Sequence, residues 1–248
     1  MLNSAEFRLI TLQAVIYTPD LKFSSANALG HLLGTHSGRL NGVPTALPIS
    51  PDAPPEVPRL VLQSEDSSLR LQAAPSRLDV ACAQETIPPE EVSKFIAFAV
   101  ELFAGYVAAM KGEVKRVACV AHRFAPDEHG AMDVAKHFCK PELLQAEGGR
   151  QAPLNRPSDF EIHAAKQFDF GGGGWLKVNS WFRCKSANLK FGNKALAPGV
   201  LLEQDFNTVA VEQPDARLFE PGEIKRFFEE APAELQKVVD LYFPSSGV

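Results

Sequence analysis

The sequence predicts an α+β protein: one or more curved antiparallel sheets with long helices packed on one face. Three observations predict it. Strand-like runs follow one another through short polar turns, which favours antiparallel pairing over helical crossovers. Two long helical segments each come after a group of strands. The order strands, helix, strands, helix divides the 248 residues into two halves of similar plan, 1–112 and 113–248, within a single domain. No sequence repeat accompanies these halves. Strongly bent sheets gripped by helices resemble the helix-grip and TATA-binding-protein-like architectures, an analogy of fold that carries no function.

The elements follow in order. Phe7 to Thr18 is a strand, rich in Leu, Ile and Val and closed by Pro19. Phe23 to Leu33 is a short helix with Ser24 or Ser25 as cap, a Leu29, Leu32, Leu33 stripe and Gly34 as stop. Gly38 to Pro58 holds six prolines and is an extended surface connection. Arg59–Gln63 and Leu69–Ala73 form a hairpin through Ser64 to Ser68, and Pro75-Ser76-Arg77 turns the chain into a third strand carrying Leu78, Val80 and Cys82.

Pro89 to Lys111 is the strongest helix. Proline and two acids open it, and Val92, Phe95, Ile96, Ala99, Leu102, Phe103, Tyr106, Val107 and Met110 share one face. Gly112 is expected to end it. Val114 to Phe124 is a strand whose apolar stretch Val117 to Ala121 is expected to be central and covered on both faces. Asp133 to Cys139 is a short helix and Gly148 to Pro157 a loop. Three alternating strands follow: Phe160 to Phe170, Trp175 to Cys184, and Val200 to Val211, with Gly171 to Gly174 as a hairpin tip. The C-terminus reads as two helices, Pro221 to Glu230 and a second opened by Pro232, because mid-helix proline costs roughly 3 kcal/mol.

Composition excludes several classes. Hydrophobic residues make up 45% and charged residues 22%, as in ordinary globular domains. The net charge is −5 and Lys and Arg are not clustered, so direct nucleic-acid binding is disfavoured. Cys82, Cys119, Cys139 and Cys184 lie at no metal-clamp or redox spacing, and four reduced thiols in a cytoplasmic protein is the expectation. The first 14 residues do not form a signal peptide, and no window reads as a membrane span, the greasiest being interrupted by Glu101. No cofactor or metal motif is present: the glycine run lacks a Gly-Lys-Ser/Thr ending, and Ser64-Glu65-Asp66 lacks a calcium-loop pattern.

The candidate site is the polar side of the last three strands. If they pair, one face is apolar and packs on a helix, and the other displays Glu161, His163, Asn179, Trp181, Arg183, Glu203, Asp205 and Asn207, with Lys177 beside them. Trp181 offers stacking area, Arg183 a fork for a carboxylate or phosphate, and Glu161 or Asp205 hydrogen bonds. The competing reading, which we prefer, is the solvated side of an antiparallel sheet. Glu161 and His163 share a face as a carboxylate–imidazole pair, which is more often structural than catalytic, and no further histidine completes a metal site.

Three segments carry a resemblance: Arg59-Leu60 through Ser64-Glu65-Asp66 to Leu78-Asp79-Val80, Val117 to Phe124, and Leu201-Leu202-Glu203-Gln204-Asp205-Phe206-Asn207-Thr208. The chain resembles a sporadically distributed, functionally uncharacterised family of bacterial and archaeal cytosolic proteins of similar length. The resemblance implies one compact prokaryotic unit and transfers no catalytic residue. The function expected is a non-enzymatic binding or interaction protein whose partner is another protein or a second copy of itself, paired through an edge strand. The alternative is a small-molecule binder or enzyme using the polar sheet face. A nucleic-acid accessory role is a third, weaker reading.

Overall fold

The computed structural model describes residues 2–19, 22–50, 52–144, 152, 154, 159–169, 175–191, 195–209 and 218–244. The predicted loop at 148–157, apart from residues 152 and 154, and the hairpin tip at 171–174 lie outside these residues.

Nine strands form one antiparallel sheet: β1 (Arg8–Tyr17), β2 (Thr45–Ala46), β3 (Leu60–Gln63), β4 (Leu69–Ala74), β5 (Arg77–Ala83), β6 (Arg116–Pro126), β7 (Asp159–Asp169), β8 (Trp175–Leu189) and β9 (Ala197–Thr208). Their spatial order is β2-β3-β4-β5-β1-β6-β9-β8-β7, and the sheet is open. Five helices accompany it: α1 (Ser25–His36), α2 (Pro89–Met110), α3 (Gly130–Phe138), α4 (Pro141–Leu144) and α5 (Pro221–Tyr242). Each half runs strand, short helical segment, a meander (β2 to β5 in the first half, β7 to β9 in the second), long helix. The first strand of each, β1 and β6, pair at the centre, so the meanders flank them in mirrored order. The α+β class and the two-half plan therefore hold, within a single continuous sheet.

The long helices share one face. α2 packs on β1 and β5, α5 on β6 and β9, α1 against α2, and α3 over β7 to β9. Strand alternation produces this layering. Leu12, Ala14 and Ile16 of β1, Leu78 and Val80 of β5, and Val117, Cys119 and Ala121 of β6 point at the helices and are buried. Phe182, Cys184 and Leu202 continue that face under α3 and the end of α5. The predicted stripe on α2 is buried through Phe95, Ile96, Ala99, Leu102, Phe103 and Tyr106, with Phe98 added.

The first helix, α1, runs past its expected stop at Gly34 to His36 and buries Ala28, Leu32 and His36. Four further expectations need correction. First, α5 is one helix. Its buried positions Ile224, Phe227, Phe228, Ala231, Leu235 and Val239 keep one 3.6-residue phase straight through Pro232. Burying that unbroken stripe offsets the hydrogen bond that proline cannot give to the Phe228 carbonyl. Second, α2 ends through Lys111, held left-handed at φ 51°, with Gly112 donating to the Val107 carbonyl at 3.1 Å. Third, β6 is central but carries helices on one side only. Ala118 is nonetheless buried on the other side, as is its cross-strand partner Val15, while Val120 is half-buried. Fourth, α2 is long and apolar enough to cross a membrane by length and composition, with mean hydropathy 1.6 over its most apolar stretch, 39% of which is buried inside the fold.

The two sheet edges differ. The proline-rich connection supplies β2, two residues long, against β3, and Leu47 donates to the Arg59 carbonyl beside it. Such a short, proline-flanked edge is a poor template for further pairing. The opposite edge is β7, 11 residues long and mostly exposed.

Candidate functional site

The eight residues singled out from the sequence all lie on the helix-free face of β7, β8 and β9. Strand register sets them in rows. Glu161, Arg183 and Glu203 form one row across the three strands; His163, Trp181 and Asp205 form the next; Asn179 and Asn207 pair in the third. Alternation with buried Val178, Phe182, Leu202 and Phe206 forces this, since residues two apart share a face.

Within this grid the charges around Arg183 and Lys185 find opposite ones, while Asp205 meets the amide of Asn207. Arg183 binds Asp159 through both Nε (3.0 Å) and Nη2, and lies 3.7 Å from Glu161 and 3.8 Å from Glu203. Asp159 holds the guanidinium pKa up, and Arg183 in turn holds the Asp159 carboxyl below its usual range. Lys185 donates to Glu203 at 2.6 Å. The fork expected to clamp a ligand is thus occupied by the chain's own carboxylate. Nearer the centre, Arg116 donates to Oδ1 of Asn207 (2.7 Å), Asn179 donates to the same oxygen (3.2 Å), and Asn207 donates to Asp205 (2.9 Å). The Arg116 guanidinium also lies 4.7 Å from the Tyr17 ring centre. Trp181 is 46% exposed and has His163 beside it at 5.4 Å between rings. Among the described residues this face is ion-paired around Arg183 and presents the Trp181 ring to solvent. Among the described residues, no group of three or more His, Cys, Asp or Glu side chains is placed to hold a metal ion. Burial pushes the Cys119 and Cys184 thiols up to about 12, which makes them inert core atoms at neutral pH.

A second feature occupies the other side of the sheet. Between α2 and α5, over β1 and β6, lies a cleft of about 1090 Å3. Val92, Ile96 and Val100 of α2 form one wall, and Pro232, Ala233 and Leu235 of α5 the other. Leu9, Leu12 and Ala121 form the apolar floor, and Arg123 sits in it. Glu101, Lys225 and Glu229 lie at the rim, the last two paired at 3.8 Å.

Arg123 is only 8% exposed, on the helix-facing side of β6 with Val117, Cys119 and Ala121. Its Nε donates to Oε1 of Gln204 at 3.2 Å, and Gln204, 1% exposed, donates its own amide to the Leu235 carbonyl of α5 at 2.8 Å. Gln204 therefore ties floor to wall and fixes the guanidinium. Among the described residues no carboxylate lies within salt-bridge distance of Arg123. Burial lowers its pKa and the charge of Asp240 works the other way. Arginine stays protonated at neutral pH regardless, so the cleft floor carries a positive charge neutralised by no direct contact. Neither Arg123 nor Gln204 was singled out from the sequence. The available signal was a parity violation: a charge and an amide on the buried side of two otherwise apolar alternations.

In comparison with known proteins, the chain matches no family model and no curated protein.

Proposed function

We propose that this chain is a non-enzymatic binding protein, and that its ligand is a small, largely apolar molecule held in the cleft between α2, α5 and the sheet. The observation that carries this reading is the cleft itself. Its volume, about 1090 Å3, lies just above the range for small-molecule sites, about 300–1,000 Å3. Its walls are aliphatic, with a few placed polar groups to orient a ligand. A cytoplasmic setting belongs to the same proposal and is supported by four free thiols.

The test uses a neutral apolar fluorophore, N-phenyl-1-naphthylamine. Saturable fluorescence enhancement is expected with the native chain. It should be lost in Ala97→Trp, since Ala97 lines the cleft from the exposed side of α2. No saturable enhancement, or the same enhancement in that variant, would overturn the reading.

Self-association is a second reading, supported by the length and exposure of β7 at the sheet edge. Light scattering across a concentration series tests it: a monomer at every concentration ends it, and a dimer abolished by Ala164→Pro sustains it.

A further inference from the structure

We infer that the cleft ligand is an aliphatic monocarboxylate, seated with its carboxylate on Arg123 and its hydrocarbon chain between α2 and α5. The inference rests on the proposed binding function and names the ligand class. Three features carry it. Arg123 is more than nine-tenths buried and lines the cleft, and no carboxylate of the described chain meets it. A buried charge left unpaired is strongly unfavourable, so the site favours any ligand that brings an anion to it. The hydrogen-bonding pattern selects the anion. Gln204 occupies Nε, which leaves the two Nη groups as the remaining fork, suited to the two oxygens of one carboxylate. A dianionic phosphate needs further donors, and Gln204 has already committed its amide to Leu235. The apolar part of the walls, Val92, Ile96, Val100 and Leu235, suits an aliphatic chain, while Arg8, Ser93 and Gln236 also line the cleft.

The experiment displaces N-phenyl-1-naphthylamine with dodecanoate, dodecanol and a short apolar peptide bearing a free C-terminus, all below their aggregation thresholds at neutral pH. Dodecanoate is expected to compete about tenfold or more better than dodecanol, as a charge-assisted pair in a buried site would give. Arg123→Met should erase that difference while still binding the fluorophore, and Lys225→Met, at the rim, should keep it. Equal competition by acid and alcohol overturns the inference and leaves the binding function standing. Failure of the fluorophore to bind removes both. Loss of the preference in Lys225→Met moves the anion to the rim and overturns the assignment to Arg123. A peptide that outcompetes dodecanoate assigns the cleft to a protein tail and overturns the ligand class. If Arg123→Met does not fold, the native chain still decides: the preference should vanish as pH drops below about 5, where an aliphatic acid protonates, and a preference that persists there overturns the inference.

Discussion

The helix-free face of the sheet is rich in charge and the helix-packed face nearly bare of it, yet the bare face holds the less satisfied charge. On the open side Arg183 meets Asp159, and Lys185 meets Glu203. Water is also at hand around these two pairs, so each is cheap to keep and contributes little, whereas Asp79 and Nε of Arg116 on the same face are buried. On the packed side Arg123 meets only an amide. What separates a decorated surface from a candidate site is therefore not how many polar groups converge. It is whether their demands are already met by the chain.

Four measurements test the contrast. The largest effect should come from a place where the open face is not open. Phe124 points away from the helices but is fully buried, packed with Ile10 and Leu201 under Leu189, Phe191 and Ala197 from the ends of β8 and β9. Gly199 lies beneath it, where a Cβ would come within 2.5 Å of the Phe124 ring and 2.3 Å of the Ala125 carbonyl oxygen. Phe124→Ala should cost about 3–5 kcal/mol in denaturant unfolding, like any core aromatic. A cost under about 1 kcal/mol would mean the whole face is solvated.

Next is the double variant Arg123→Met, Gln204→Leu. Exchanging a buried ion and its amide for apolar groups should raise unfolding stability by about 1–4 kcal/mol. The single Gln204→Leu, which strands the ion, should lower it. A double variant less stable than the native chain would show that the charge is already compensated.

A pH effect ranks third. Burial holds His36 and His122 below their ordinary pKa. Both are then neutral in the fold, while the unfolded chain takes up more protons. Their contribution is present above about pH 6.5 and is lost as pH falls below it. Thermal midpoints should drop on acidification through that range, and His122→Gln should flatten the drop. A midpoint that rises on acidification would reverse the assigned direction. The smallest effect belongs to Arg183→Ala, whose midpoint should stay near that of the native chain despite three neighbouring carboxylates. A large loss would show the open grid to be structural.

The open grid was legible because alternation alone decides faces: Glu161, His163, Trp181, Arg183 and Asp205 share parity against Val178 and Phe182. The rows were not, since register depends on which strands become neighbours. The pairing of β1 with β6 joins residues about 100 positions apart, and no local pattern announces it. The cleft was harder still. It needs both long helices over the central strands, and proline's local cost at Pro232 argues for two helices where a stripe that stays in phase from Ile224 to Val239 makes one. Lys111 carries no sequence signal of its left-handed backbone, because glycine is the usual residue there and Gly112 stands next to it.

The mirrored strand order has an implication for how the molecule is held together. β1 and β6 meet by antiparallel backbone pairing, the kind of seam that two identical chains build about a dyad. Either half alone would leave a strand of ten or eleven residues with one bare flank, and a second half is what completes it. The short link from Lys111 to Lys115 then serves chiefly as a tether, supplying one half to the other at high effective concentration. Covalent continuity here does the work that dimerisation would do in a chain half as long.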